Sequence, residues 1–363
     1  MRLVGTRNIK ENAVLAKPIY NERGKVLVNS GVKLDQKLIK RLLDFGISYV
    51  YLEDKKTKDI KVNQAISDQL HLEAMNTIEQ SFQKLKNSDS SSILLIMEKS
   101  TPSFKKLIGR VLEELKNHTE LFSLMSDVYL YDNYIFSHSL NVTIYSLALG
   151  LELKLSPNQL EVLGLGAIMH DVGKMGVPLE ILMKPGKLTE EEYEVIKTHA
   201  EAGFEMLRKV DAMPLLVAHC AYQHHERLNG SGYPRGIKDE EIHLFGKIIA
   251  VADVFDAITS NRVYKEALLP HEALEILYTG SGRLYDAKIV EAFRKSIVLY
   301  PNGLGVILSN GEKGVVCRQN KGMNERPVIR ILEKDEVEIT PYDLDLSEHL
   351  SIVIVQCDTI LNP

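Results

Sequence analysis

Five histidines and two aspartates occur at or beside segments that read as apolar helices, and this constrains the chain more than any other feature. His170 and Asp171 are adjacent and close the apolar run Leu163–Met169, with Lys174 one helical turn further on. His138 lies near the start of an apolar-periodic stretch from Ser137 to Leu149, and His199 lies downstream of the pair. His224 and His225 open the segment His-His-Glu-Arg-Leu-Asn-Gly-Ser-Gly-Tyr-Pro, residues 224–234. Asp253 is the acid in the middle of the apolar run 248–256. Burying an acid or an imidazole without a partner is costly. The His-Asp pair alone fits either a metal ion or a satisfied hydrogen bond. Convergence on one metal cluster accounts for all seven residues at once.

Length and composition set the remaining bounds. At 363 residues, two or three domains are expected. The formal net charge of −5 gives no general reason to expect nucleic-acid or membrane binding. An anionic substrate would therefore need local positive charge from metals, Lys and Arg. No apolar leader opens the chain, and no apolar run is long enough to span a membrane. Cys220, Cys317 and Cys357 are widely spaced without a C-x-x-C pattern, which fits a reducing cytoplasm. Cys220 adjoins His219 and reads as a small buried hydrophobe.

The expected fold is mainly α: a helical bundle with a small α/β N-terminal module and a small β C-terminal extension. Residues 1–60 form the regulatory module. A hairpin is expected from the runs 13–16 and 25–28 about a turn at 21–24, then a helix over 34–45 stopped by Gly46 and a strand over 47–52. Residues 61–128 form a helical connector, with helices over 64–87 and 104–129 and breaks at 88–92 and at Thr101-Pro102. Those helices fit either signal transfer or a homodimer interface. His71 and His118 read as solvated or packing residues. Residues 129–300 form the catalytic region. Helices are expected over 158–169, 189–207 (opened by a capping box at Thr189-Glu-Glu-Glu192), 215–225, 244–260, 272–277 and 287–299, with loops over 173–187 and 229–236. Residues 301–363 form a small sheet, with strands near 303–308, 314–317, 327–332 and 351–355, placed to pack on the N-terminal module.

From Tyr131 to Tyr300 the chain resembles the HD-GYP family, a branch of the HD-domain metal-dependent phosphohydrolases. The His-Asp pair, His199, the His-His-Glu, the Gly232-Tyr233-Pro234 signature and the segment Asp253–Lys265 carry the resemblance in order. Asn229 stands where members often have Asp, and either suits a turn. The resemblance implies hydrolysis of cyclic di-GMP to linear pGpG, and onward to GMP, by a hydroxide bridging two metal ions ~3.5–4 Å apart. Asp171 is the expected bridge, because a carboxylate can offer one oxygen to each ion. By resemblance His138, His170 and Asp253 complete one ion's ligands, and His199, His224 and His225 the other's. This donor set suits iron first and manganese second. His219 reads as a packing residue or a support for the ligands.

Lys174 has no evident carboxylate partner and is placed to contact the scissile phosphate as a catalytic and binding residue. Arg262 and Lys265 are expected on the other phosphate. Tyr233 is expected to stack on a guanine or bind a phosphate, while Pro234 and the glycines fix the loop's shape. That loop also offers a surface to a partner such as a GGDEF-type cyclase. Two further readings are a non-enzymatic cyclic dinucleotide effector and a hydrolase of another cyclic dinucleotide such as cyclic GMP-AMP. Some family members hold a third ion with a Glu four residues before the first metal-binding His. Here that position is Tyr134, whose phenol has a pKa near ~10 and ligates poorly. Asp132, six residues back, points elsewhere on a helix. Two ions are expected.

Overall fold

The computed structural model of the chain describes residues 1–21, 26–62, 65–86, 90–117, 129–130, 134–184, 186–260 and 267–359. The N-terminal module is built on two strands and a helix. β1 (Arg2–Gly5) pairs antiparallel with β6 (Tyr49–Leu52). Between them, Asp35 caps α1 (Gln36–Asp44) by accepting the Leu38 amide at 2.7 Å. Gly46 stops the helix with φ +77°.

The expected pairing of 13–16 with 25–28 does not form. β2 (Ala13–Val14) pairs instead with β5 (Lys33–Leu34), while β3 (Ile19–Asn21) pairs with β4 (Val26–Val28). Pro18, which has no backbone donor, separates β2 from β3. β3 also runs parallel to β7 (Tyr129–Leu130), just ahead of the helix that carries His138. Of the expected turn at 21–24, Asn21 ends β3 and residues 22–24 lie outside the described residues.

The connector is a helix pair. α2 (Asp68–Lys86) packs against α3 (Ser90–Asn117), which runs unbroken through Pro102. The break expected at Thr101-Pro102 is thus overturned. Buried Phe104, Ile108 and Val111 lie on α3, and their burial outweighs the one backbone bond that a proline removes. The Thr101 hydroxyl bonds the Met97 carbonyl one turn back. His71 on α2 is buried, so it packs rather than faces solvent. α3 is described as far as Asn117. Tyr129, expected as the last residue of this helix, belongs to β7, and residues 118–128, His118 among them, lie outside the described residues.

The bundle that follows comprises α4 (Tyr134–Glu152), α5 (Pro157–Met169), the single turn α6 (Leu179–Leu182), α7 (Glu190–Leu207), α8 (Leu215–Gln223), α9 (Leu244–Thr259), α10 (Pro270–Gly280) and α11 (Ala287–Ser296). α5 begins at a Ser156–Gln159 capping box followed by Pro157, and α7 at the Thr189–Glu192 box. α4, α5, α8 and α9 bury most of their residues in one core shared with α2 and α3. The segment 173–187, expected as loop, contains α6 and a 3-10 turn at Val172–Gly176.

The chain ends in one antiparallel sheet ordered β11-β10-β9-β8-β12, with β8 (Gly305–Leu308), β9 (Lys313–Arg318), β10 (Val328–Lys334), β11 (Val337–Asp345) and β12 (Ile354–Asp358). β11 is absent from the sequence reading. It is a largely exposed edge strand containing Pro341, a residue tolerated only at such positions. The last strand starts three residues later than expected. Leu3 and Tyr51 of the N-terminal module share a core with Leu304, Val316 and Ile329 of this sheet. The Leu3 amide donates to the Gly303 carbonyl at 2.8 Å, and the Gly5 amide to the Thr359 carbonyl at 2.9 Å. The first and last segments of the described chain are therefore packed as one body. No described helix is long and apolar enough to cross a membrane.

Candidate metal centre

Three helices and the ends of two more bring the seven residues together. His138 comes from α4, His170 and Asp171 from the end of α5, His199 from α7, His224 and His225 from the end of α8, and Asp253 from α9. Most are fully buried. Three of the rings are fixed by the same device. The Nδ1 of His170, His199 and His224 donates to the carbonyl three residues back, at 2.7, 2.6 and 2.8 Å, to Ala167, Ile196 and Ala221. A carbonyl only accepts, so each of these Nδ1 atoms carries a proton and Nε2 is the atom turned to the centre.

Asp171 lies between two groups of such nitrogens. Its Oδ2 is 3.5 Å from His138 Nε2 and 3.4 Å from His170 Nε2. Its Oδ1 is 3.3 Å from His199 Nε2 and 3.6 Å from His224 Nε2. Asp171 with His138 and His170 forms one set of converging donors, and Asp171 with His199, His224 and His225 another. Asp253 stands beside both, with Oδ1 3.0 Å from His138 Nε2 and Oδ2 3.7 Å from His225 Nδ1.

This arrangement fits divalent cations. The bare Nε2 atoms of His199 and His224 face each other at 3.3 Å, and the buried Asp171 Oδ1 accepts no hydrogen bond. Lone pairs so directed are satisfied by a cation and not by one another. Burial disfavours charge on His199 and carries its pKa to about 3, keeping it a neutral donor. Burial likewise holds His225 well below the usual range. Burial opposes ionisation of Asp171, but Lys174 and His170 overcome it and keep the carboxyl well below the usual range. At His138 burial again works against charge, yet the bonds to Asp253 and Asp256 raise its pKa to about 9.

Asp256 is the residue that sequence reasoning missed. Its Oδ2 accepts from His138 Nδ1 at 2.7 Å. Its Oδ1 accepts from Asn141 Nδ2 and Ser260 Oγ, each at 2.9 Å. His138 is thus oriented by a carboxylate where the other rings use a carbonyl. Its place three residues after Asp253 on an apolar helix was the available signal.

The expectation that Lys174 has no carboxylate partner is overturned: its ammonium donates to Asp171 Oδ2 at 2.5 Å. The 3-10 turn brings its ammonium back over the pair. His219 lies against Phe204, ring centroids 5.2 Å apart, and takes no place among the converging donors. Cys220 is buried against Gly166, and burial pushes its thiol up to about 12. The Gly232-Tyr233-Pro234 loop is pinned by buried Glu226, whose carboxylate accepts the amides of Arg235 and Ile237 at 2.9 and 3.2 Å. A Cβ at Gly232 would meet the His225 carbonyl at 2.4 Å. Tyr233 stacks on the His225 ring, centroids 4.5 Å apart. One of its faces is therefore already covered. Arg262 and Lys265, like Asp132, lie outside the described residues.

A family model for the HD domain matches residues 103–289, over half of the chain. The chain belongs to the HD domain family. Within that family its ordered His and Asp residues and its Gly-Tyr-Pro loop are those of the HD-GYP branch. A cyclic di-GMP phosphodiesterase of Pseudomonas aeruginosa is 36% identical over 59% of this chain and 52% of its own length. One from Thermotoga maritima is 49% identical over 36% of this chain and 35% of its own length. A 3'3'-cGAMP-specific phosphodiesterase of Vibrio cholerae is 38% identical over 55% of this chain and 46% of its own length. The chain spans about half or less of the length of these relatives.

Proposed function

We propose that the chain is a metal-dependent phosphodiesterase that opens cyclic di-GMP to linear pGpG, with GMP as the product of a second cut. The observation that carries this reading is Asp171, which turns one oxygen to each of two groups of histidine nitrogens. His138, His170 and Asp253 would hold one ion and His199, His224 and His225 the other, with Asp171 shared. Two divalent ions there, iron first and manganese second, supply an activated water and countercharge for the phosphate. Asp256 keeps the His138 Nε2 lone pair aimed inward. Lys174 is 16% exposed beside Asp171, so its ammonium can leave that carboxylate for a phosphate oxygen as charge develops there. Arg262 and Lys265 would bind the second phosphate, and the pinned loop would set Tyr233 at the mouth.

The rest of the reading follows the chain's organisation. Residues 129–300 form the catalytic unit, 1–60 a regulatory module, 61–128 its connector and 301–363 an extension that packs on the module. A GGDEF-type partner at the Gly-Tyr-Pro loop and a homodimer through 61–128 belong to the same reading, on the family resemblance and on helix amphipathicity. The free cysteines fit a cytoplasmic setting. A second substrate, cyclic GMP-AMP, is favoured by the names of the Vibrio cholerae relatives.

The test is a product assay with iron- or manganese-loaded protein on cyclic di-GMP, cyclic GMP-AMP and cyclic di-AMP. The expected result is pGpG from cyclic di-GMP at the highest kcat/KM. Binding of every dinucleotide without turnover would replace the enzyme by an effector.

A further inference from the structure

Beside the centre stands a group of side chains that the reading above does not use. Tyr193 and Lys197 are four residues apart on α7 and so share one face. Lys197 Nζ lies 5.1 Å from the Tyr193 ring centroid and 5.8 Å from that of Tyr233. The two tyrosine rings meet edge to face at 6.4 Å, and Tyr233 in turn stacks on His225. A continuous ledge therefore runs outward from a metal-site histidine through Tyr233 to Tyr193. Tyr233 has one face against His225, whereas Tyr193 is 47% exposed, so the open aromatic surface belongs to Tyr193. Lys197, 26% exposed, pairs with Glu194, which is 68% exposed. A pair with one partner so open to water contributes little, and the flexible lysine stem can swing the ammonium from over the Tyr193 ring to the edge of a ligand stacked there.

Resting on the cyclic dinucleotide reading, we propose that Tyr193 is the platform for one base of the substrate and that Lys197 selects guanine at that position. An aromatic face stacks any base. Guanine presents two acceptors, O6 and N7, on the edge where adenine presents N7 and an amino donor, so an ammonium favours guanine.

The experiment is equilibrium binding of the hydrolysis-resistant bis-phosphorothioate analogues of cyclic di-GMP and cyclic di-AMP to metal-loaded full-length protein. Tyr193→Ala is expected to weaken both by roughly 10-fold, with Tyr193→Phe close to wild type. Lys197→Met is expected to reduce the preference for guanine roughly 10-fold while metal content stays unchanged. Unaltered affinity in Tyr193→Ala, or an unaltered preference in Lys197→Met, overturns the proposal. Binding with these effects but no turnover of natural cyclic di-GMP removes the hydrolase reading and leaves the ledge standing. No binding by wild type overturns both.

Discussion

At the residue scale the centre is a problem in directing lone pairs, and its supports carry as much of the design as its ligands. Three rings are aimed by backbone carbonyls that no substitution removes, but His138 depends on one side chain, Asp256. Asp256→Asn should therefore weaken metal affinity by roughly 10- to 100-fold while the fold persists. Competition with a graded chelator measures this, and wild-type affinity in the variant would contradict the role. The seven ligand candidates were legible in the sequence because polar residues within apolar helices demand an explanation. Asp256 was not, since its partner His138 lies on another helix 118 residues away in sequence. On the proposed function, Lys174 would act at the bond that breaks and Arg262 at the remote phosphate. Lys174→Ala should chiefly lower kcat, and Arg262→Ala chiefly raise KM, because a remote contact binds ground and transition states alike. Steady-state kinetics showing the reverse would sink that division.

At the element scale, the 3-10 turn Val172–Gly176 explains how Lys174 returns to Asp171. It depends on a glycine. A Cβ at Gly173 would stand 2.0 Å from the His199 carbonyl oxygen and 2.7 Å from the Gly203 nitrogen, both backbone atoms of α7. Gly173→Ala should force α7 and its His199 outward, costing about 1–3 kcal/mol or more together with metal content. Thermal unfolding and metal analysis read both, and a variant equal to wild type in each would refute the close approach. The sequence marked this stretch as loop because its glycines and prolines hide a short turn whose stability comes from packing. The same limit explains Pro102, which local rules treat as a break but which the shared core of α2 and α3 keeps within one helix. Capped helices such as α5 and α7 were legible, since their start signals are local.

The connector also carries a pH dependence of its own. Burial lowers the pKa of His71 from 6.5 to about 4 in the folded chain. The unfolded chain then binds the proton more readily. The folded state's advantage is complete above about 6.5 and is lost as pH falls from there toward 4, up to about 3 kcal/mol. His71→Leu should remove this component. Urea unfolding at neutral and acid pH should show a smaller acid loss in the variant than in wild type, and equal losses would exclude His71 as a source.

At the scale of the whole molecule, the N-terminal strands and the C-terminal sheet share one core, while α2 and α3 lie within the core of the bundle. Strand pairing between distant segments was the least legible part, because register depends on partners that composition does not name. The bundle that carries the histidines was the most legible, because its His and Asp residues and its Gly-Tyr-Pro loop follow one another in a recognisable order. On the proposed function Asp171 would be the shared ligand of two ions, with Tyr134 at the start of α4 a poor ligand for a third. The most direct test is elemental analysis of the protein loaded anaerobically with iron, beside Asp171→Ala. The account predicts two ions per wild-type chain, and in the variant a sharp loss of metal with activity down by more than ~10³-fold. A third ion in the wild type, or two ions and turnover retained in the variant, would contradict it.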